Sequence, residues 1–191
     1  MRVELTSRSA IRGVAPHQVV EAVETYFDGS APGRAQLVVA GERDGWTTLT
    51  WPAYFAPRDL TVCQRLSREL HTVVSAITTT DDEGWSHTLF ACGTELDRLH
   101  SYPAALVWDD EDPATLAQEW SGDYELVARV VGVDACSVRR HFCQATPDRR
   151  DHPGRERNGY LGLWAALGIR PADTAYACVD LEPSWPALTT S

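Results

Sequence analysis

The chain has 191 residues, 43% of them apolar and 23% charged, with a formal net charge of -10. That is enough apolar material for a core and too little charge for wholesale disorder. No apolar run reaches the roughly 18 residues of a spanning helix, and residues 1–13 carry no signal-peptide pattern, so a soluble chain with a cytoplasmic address is the expectation. All 17 basic residues are arginine, which excludes Schiff-base chemistry, a phosphate-loop lysine and a lysine general base.

Residues 3–7 read as a first strand. Pro16 then opens a helical pattern in which Val19, Val20, Val23, Tyr26 and Phe27 form one apolar stripe. Residues 37–51 read as strand, polar turn and strand, with Gly45-Trp46 at the turn. The same pattern returns 39 residues later over 76–90, where Gly84-Trp85 falls on Gly45-Trp46 and Phe90 on Trp51. Between the two lies a second helical segment, with Asp59 as its N-cap and Leu60, Cys63, Leu66, Ser67 and Leu70 at helical spacing. Residues 94–100 supply a further strand. The expectation is an α+β fold: a mainly antiparallel sheet of about six strands, helices on one face, and an internal helix-strand-strand repeat within residues 1–103.

Residues 104–191 read as a mostly helical extension packed on the same core. Asp112-Pro113 opens a helix that closes at Gly122. Residues 123–132 fit a helix capped by Asp123 and ended by Gly132, and their β-branched content permits a strand as well. A helix over 134–145, a polar loop over 147–159 and an apolar helix over 160–168 complete the chain order.

Charge is distributed unevenly. Residues 79–125 hold 12 acids against Arg98 alone, while the rest of the chain is nearly neutral. Such a region steers a partner with a basic surface and repels nucleic acid. Trp46, Trp85, Trp108 and Trp120 lie beside acids, whereas Trp51 and Trp164 read as core. A tryptophan rimmed by carboxylates suits the centre of a protein interface, which makes Trp85, Trp108, Trp120, Asp109, Asp110 and Asp112 the candidate binding face.

Three other constellations carry chemistry on paper. Cys136, His141, Cys143 and His152 are thiolate and imidazole ligands, but their spacing matches no common zinc motif, so neither metal nor other cofactor is expected. The five cysteines are odd in number and dispersed, unlike a disulfide framework. Asp97, His87 and His100 are weak candidates for acid–base catalysis, with Cys92 nearby and no hydrolase, zincin or phosphate-loop motif. Ala128, Gly132 and Val138 have the spacing of a helix-turn-helix, which would put Arg139 and Arg140 on a recognition helix. The net acidity opposes that reading.

The sequence therefore favours a non-catalytic bacterial protein-binding protein. In size, charge and layout, though in no motif, it resembles the immunity proteins that neutralise toxins. A DNA-binding regulator and a small enzyme with an Asp/His site are the alternatives.

Overall fold

The computed structural model describes residues 5–27, 35–52, 59–80, 84–103, 112–142 and 159–181. Among these residues seven strands form one antiparallel sheet: β1 (Leu5–Arg12), β2 (Ala35–Arg43), β3 (Trp46–Trp51), β4 (Val73–Thr80), β5 (Gly84–Ala91), β6 (Thr94–His100) and β7 (Ala175–Leu181), in the order β6-β5-β4-β1-β3-β2-β7. Two helices, α1 (Pro16–Tyr26) and α2 (Asp59–Glu69), pack together on one face. Four more follow in the helical C-terminal region: α3 (Pro113–Glu119), α4 (Tyr124–Val131), α5 (Ala135–Arg139) and α6 (Tyr160–Ala166).

Period-2 alternation divides the apolar residues between two cores. Ile11, Leu37, Leu49, Trp51, Val74 and Phe90 meet Val19 and Val23 of α1 and Val62, Cys63 and Leu66 of α2. On the opposite face, Ala10, Trp46, Ile77, Trp85, Leu89 and Leu99 meet Val127 and Val131 of α4, Val138 of α5 and Leu163 and Trp164 of α6. The sheet is thus covered by α1 and α2 on one side and by the C-terminal helices on the other.

Each helix-strand-strand segment of the echo contains the expected elements in order, and both Gly45 and Gly84 adopt positive φ, 79° and 93°. The two hairpins are inserted differently. Strand β3 lies inside, between β1 and β2, whereas β5 lies outside β4 because β1 already occupies the inner place. Even so, Trp46 and Trp85 enter the same core, and Trp51 and Phe90 enter the other.

Residues 124–131 are helix, not strand. Asp123 accepts the amides of Glu125 and Leu126 at 3.0 and 2.9 Å, and Gly132 ends the helix at φ 75°. The expected helix over 134–145 is shorter, five residues within the described part, with Asp134 as its cap. Strand β7 adds to the expected six; it pairs with β2 and buries Val179 and Leu181. Among the described residues no helix is long and apolar enough to cross a membrane.

Candidate functional site

Strand β6 is one edge of the sheet, and its outer side is met by the chain returning from α3. The carbonyl of Trp120 accepts the amide of His100 at 3.0 Å, Ser121 bridges to Leu99, and the amide of Asp123 donates to Asp97 Oδ1 at 2.6 Å. Gly122 makes this approach possible. Its φ is +68°, and a Cβ there would stand 2.6 Å from the Phe142 ring and 3.2 Å from Leu99.

Between the strand and this segment runs a groove of about 300 Å³, lined by Glu95, Asp97, Arg98, Gln118, Glu119 and Asp123 among others. The lining holds four carboxylates and one guanidinium. Arg98 is already engaged: its Nε donates to Glu95 at 2.6 Å and its guanidinium carbon lies 5.3 Å from the centre of the Trp120 ring. The half-buried Trp120 also meets the edge of His100, with centroids 6.0 Å apart. Glu119 and Asp123 are exposed.

Asp97 differs from the other acids. It is 8% exposed, and Oδ2 is buried with no hydrogen-bond partner among the described residues. Burial raises its pKa to about 6, helped by the charges of Asp123 and Glu95 and opposed by the Asp123 amide.

The other catalytic candidates do not converge on Asp97. His87 shares its sheet face, but His87 pairs with Leu99 and Asp97 with Leu89, and neither side chain bonds the other. His87 is fully buried; Nε2 lies 3.0 Å from Ser75 Oγ, which also accepts Trp164 Nε1 at 3.0 Å. Strand alternation puts His100 on the opposite face, where Nδ1 accepts the Tyr102 amide at 3.0 Å. Burial lowers both histidines to about 4, so both are neutral at pH 7. Cys92 is exposed in the turn between β5 and β6, at φ 49°.

The candidate binding face changes composition. Trp85 is 2% exposed and packs in the core under the C-terminal helices, so it cannot serve as the centre of a surface. Its closeness in sequence to the acids of 81–83 says nothing about which side of the pleat it takes. Trp108, Asp109 and Asp110 lie outside the described residues. Asp112 is exposed and caps α3, where hydrogen bonds from Thr115 and Ala114 hold its carboxyl below the usual range. Trp120 is half-buried and does not line the groove itself; it lies against Arg98, which does.

For the metal set, Cys136 is exposed, His141 is half-buried against Gly162, and Cys143 and His152 lie outside the described residues. Among the described residues no group of three or more ligating side chains converges. In the helix-turn-helix segment, Ala128 and Val138 are core residues. Arg139 lies over the Tyr124 ring at 5.8 Å, and Arg140 Nε donates to His141 Nε2 at 3.1 Å.

A polar seam under α2 has no counterpart in the sequence reading. Ser7 donates to Asp59, which opens the helix and is fully buried; Ser9 Oγ lies 2.9 Å from Cys63 Sγ and accepts Trp51 Nε1 at 2.8 Å. Burial pushes the Cys63 thiol far above its ordinary range and raises Asp59 as well, so the seam presents no activated nucleophile. The alternation of Ser7, Ser9 and Ile11 on one face was the available signal.

A second cleft, about 510 Å³, opens where α4 and α6 end beside Arg12, Asp44, Trp46 and Arg170. Its arginines are occupied: Arg12 donates to the Val130 carbonyl at 3.2 Å, and Arg170 stands 3.8 Å from Asp44.

Comparison with protein-family models, with curated proteins and with solved structures finds no match to this chain.

Proposed function

We propose that the protein is a non-catalytic binding module for a protein partner with a basic surface, and that it acts as an immunity-like inhibitor through the groove at the β6 edge. The observation that carries this reading is the groove itself, lined by four carboxylates and by one guanidinium already paired with Glu95, with Trp120 stacked on that guanidinium. It lies within the stretch 79–125, where 12 acids face a single arginine. The long-range field of that stretch draws a cationic surface in, and the contact around Trp120 holds it.

The test uses exposed positions, so that folding is untouched. Gln118→Lys with Glu119→Lys reverses the rim of the groove. Proteins crosslinked to the wild-type chain in native extract are purified and their association measured at low and high salt. The double variant is expected to associate about tenfold more slowly at low salt, with the difference shrinking at high salt. Partners bound equally well by both chains, at every salt concentration, would refute the reading.

A further inference from the structure

Strand β7 finishes the sheet at the end opposite β6 and pairs with β2 alone among the described strands. Its register with β2 runs unbroken from Leu181 back to Ala177. Beyond that point Val39 faces Ala177 and Ala40 faces Ala175, so Tyr176 is the extra residue of a bulge. Residues 177–181 are therefore a regular edge, and they contain no proline, no basic residue and a single acid, Asp180. Those are the usual devices that keep another strand away from an edge, and this segment has almost none of them. Its two faces differ: Val179 and Leu181 are buried in the core with α1, whereas Cys178 and Asp180 are exposed. Tyr176, 55% exposed, is one of two large apolar side chains left open among the described residues.

The charge distribution admits a second copy of the chain here and nowhere near the other edge. Two chains of net charge -10 repel most strongly at the β6 edge, where Glu95, Asp97, Glu119 and Asp123 gather. The β7 end is balanced instead. Arg43 stands 3.8 Å from Asp173, and Arg170 stands 3.8 Å from Asp44. Joining two copies through β7 places the acidic edges at opposite ends of one sheet of fourteen strands. At about 4.8 Å per strand they lie roughly 60 Å apart, many times the screening length of about 8 Å.

We infer that β7 is the edge through which two copies of this chain join, antiparallel about a two-fold axis at Val179, into one continuous sheet. This is independent of the groove reading and leaves both grooves open. An axis at Val179 uses every regular residue of the edge and no bulged one. It sets Val179 against its own mate and Ala177 against Leu181 on the apolar face. On the exposed face it sets Cys178 against Asp180 of the second copy, twice per dimer. An axis at Cys178 draws the bulged Tyr176 into the ladder, and one at Asp180 puts two carboxylates face to face.

Sedimentation velocity of the full chain in reducing buffer, loaded from about 1 to about 200 µM, reads the association. The mass is expected to rise from 21.1 kDa toward twice that value as concentration increases. The register is tested by charge at position 178, whose side chain is exposed and tolerates replacement without disturbing the core. Cys178→Lys faces Asp180 of the other copy and should tighten the dimer a few-fold. Cys178→Glu faces the same carboxylate and should loosen it a few-fold, and about 0.5 M salt should narrow the gap between the two. Gln118→Lys makes the same change in net charge at the far edge and should leave the association as in the wild type. A chain of 21.1 kDa at every concentration would overturn the inference. So would loosening by both substitutions at 178, the result expected of an axis at Cys178, or equal tightening by Gln118→Lys, which would reduce the effect to net charge.

Discussion

Replacing Asp97 by Asn should stabilise the protein at neutral pH. The carboxyl titrates near 6 in the folded chain instead of at its ordinary 3.8, a displacement worth about 3 kcal/mol against the folded state when the group is charged. Asn keeps an oxygen for the Asp123 amide, bonded at 2.6 Å in the wild type, and carries no charge to desolvate. Its new amide donors offset part of the gain, so about 1–2 kcal/mol is expected at pH 7.5. The sign follows from proton linkage. A carboxylate with a raised pKa binds its proton more tightly when folded, so its cost is present above pH 6 and is relieved as pH falls toward 4. The advantage of Asp97→Asn should therefore be full at pH 7.5, shrink between 6 and 4, and be gone below 4. Urea unfolding at pH 7.5, 6, 5 and 4 measures it. A variant less stable than wild type at pH 7.5, or a difference that does not change with pH, would refute the account of Asp97 as an uncompensated buried charge.

Three further perturbations test the framework that positions the groove. Ser75→Ala removes the hydroxyl joining Trp164 Nε1 and His87 Nε2, leaving two buried polar atoms unpaired, and should cost about 3 kcal/mol in urea unfolding. Gly122→Ala meets both a left-handed backbone and the Phe142 ring and should cost about 3 kcal/mol, whereas Gly132→Ala, at φ 75° with only the tip of Arg12 at 3.7 Å, should cost about 1 kcal/mol in the same measurement.

The legible parts of the fold were those written in local periodicity. Helical stripes in 16–26 and 59–69 and the Gly-Trp turns at 45 and 84 each depend on neighbours within a few residues. Segment 124–131 stayed ambiguous because its Val residues favour strand; the Asp123 cap and Gly132 decide it. Strand β7 was missed although Ala177, Val179 and Leu181 alternate with Tyr176, Cys178 and Asp180, because small residues and Cys blunt the strand signal. Asp97 is legible as one member of an Asp/His set, but nothing local ties it to Asp123. Only the return of residues 120–123 onto β6 makes them neighbours, and that contact joins positions 26 apart in the chain. For Trp85, pleat parity outweighed charge: it shares its face with His87 and Leu89, under α6, while Trp120 lies on a segment that the core does not enclose.

How a partner would engage the groove follows from how the edge is finished. An exposed edge strand invites another strand to pair with it. Strand β6 is closed to that mode along its second half, since residues 120–123 already take up the His100 amide and the side chain of Asp97. In the first half the register breaks: Leu89 faces Asp97 and Phe90 faces Glu95, so Leu96 is an extra residue that bends the strand out of a regular ladder. Both devices deny the backbone to a visitor and leave the side chains. What remains accessible at this edge is carboxylate and indole, and a partner held there is held by its cationic side chains. The opposite edge has the reverse character. Strand β7 has β2 as its only strand neighbour among the described residues, and it carries the exposed Tyr176 and Cys178 with one acid, Asp180, bonded to Gln36 at 3.1 Å. The acidity and the groove therefore lie at the same end of the sheet, and it is the end where the fold itself blocks strand addition.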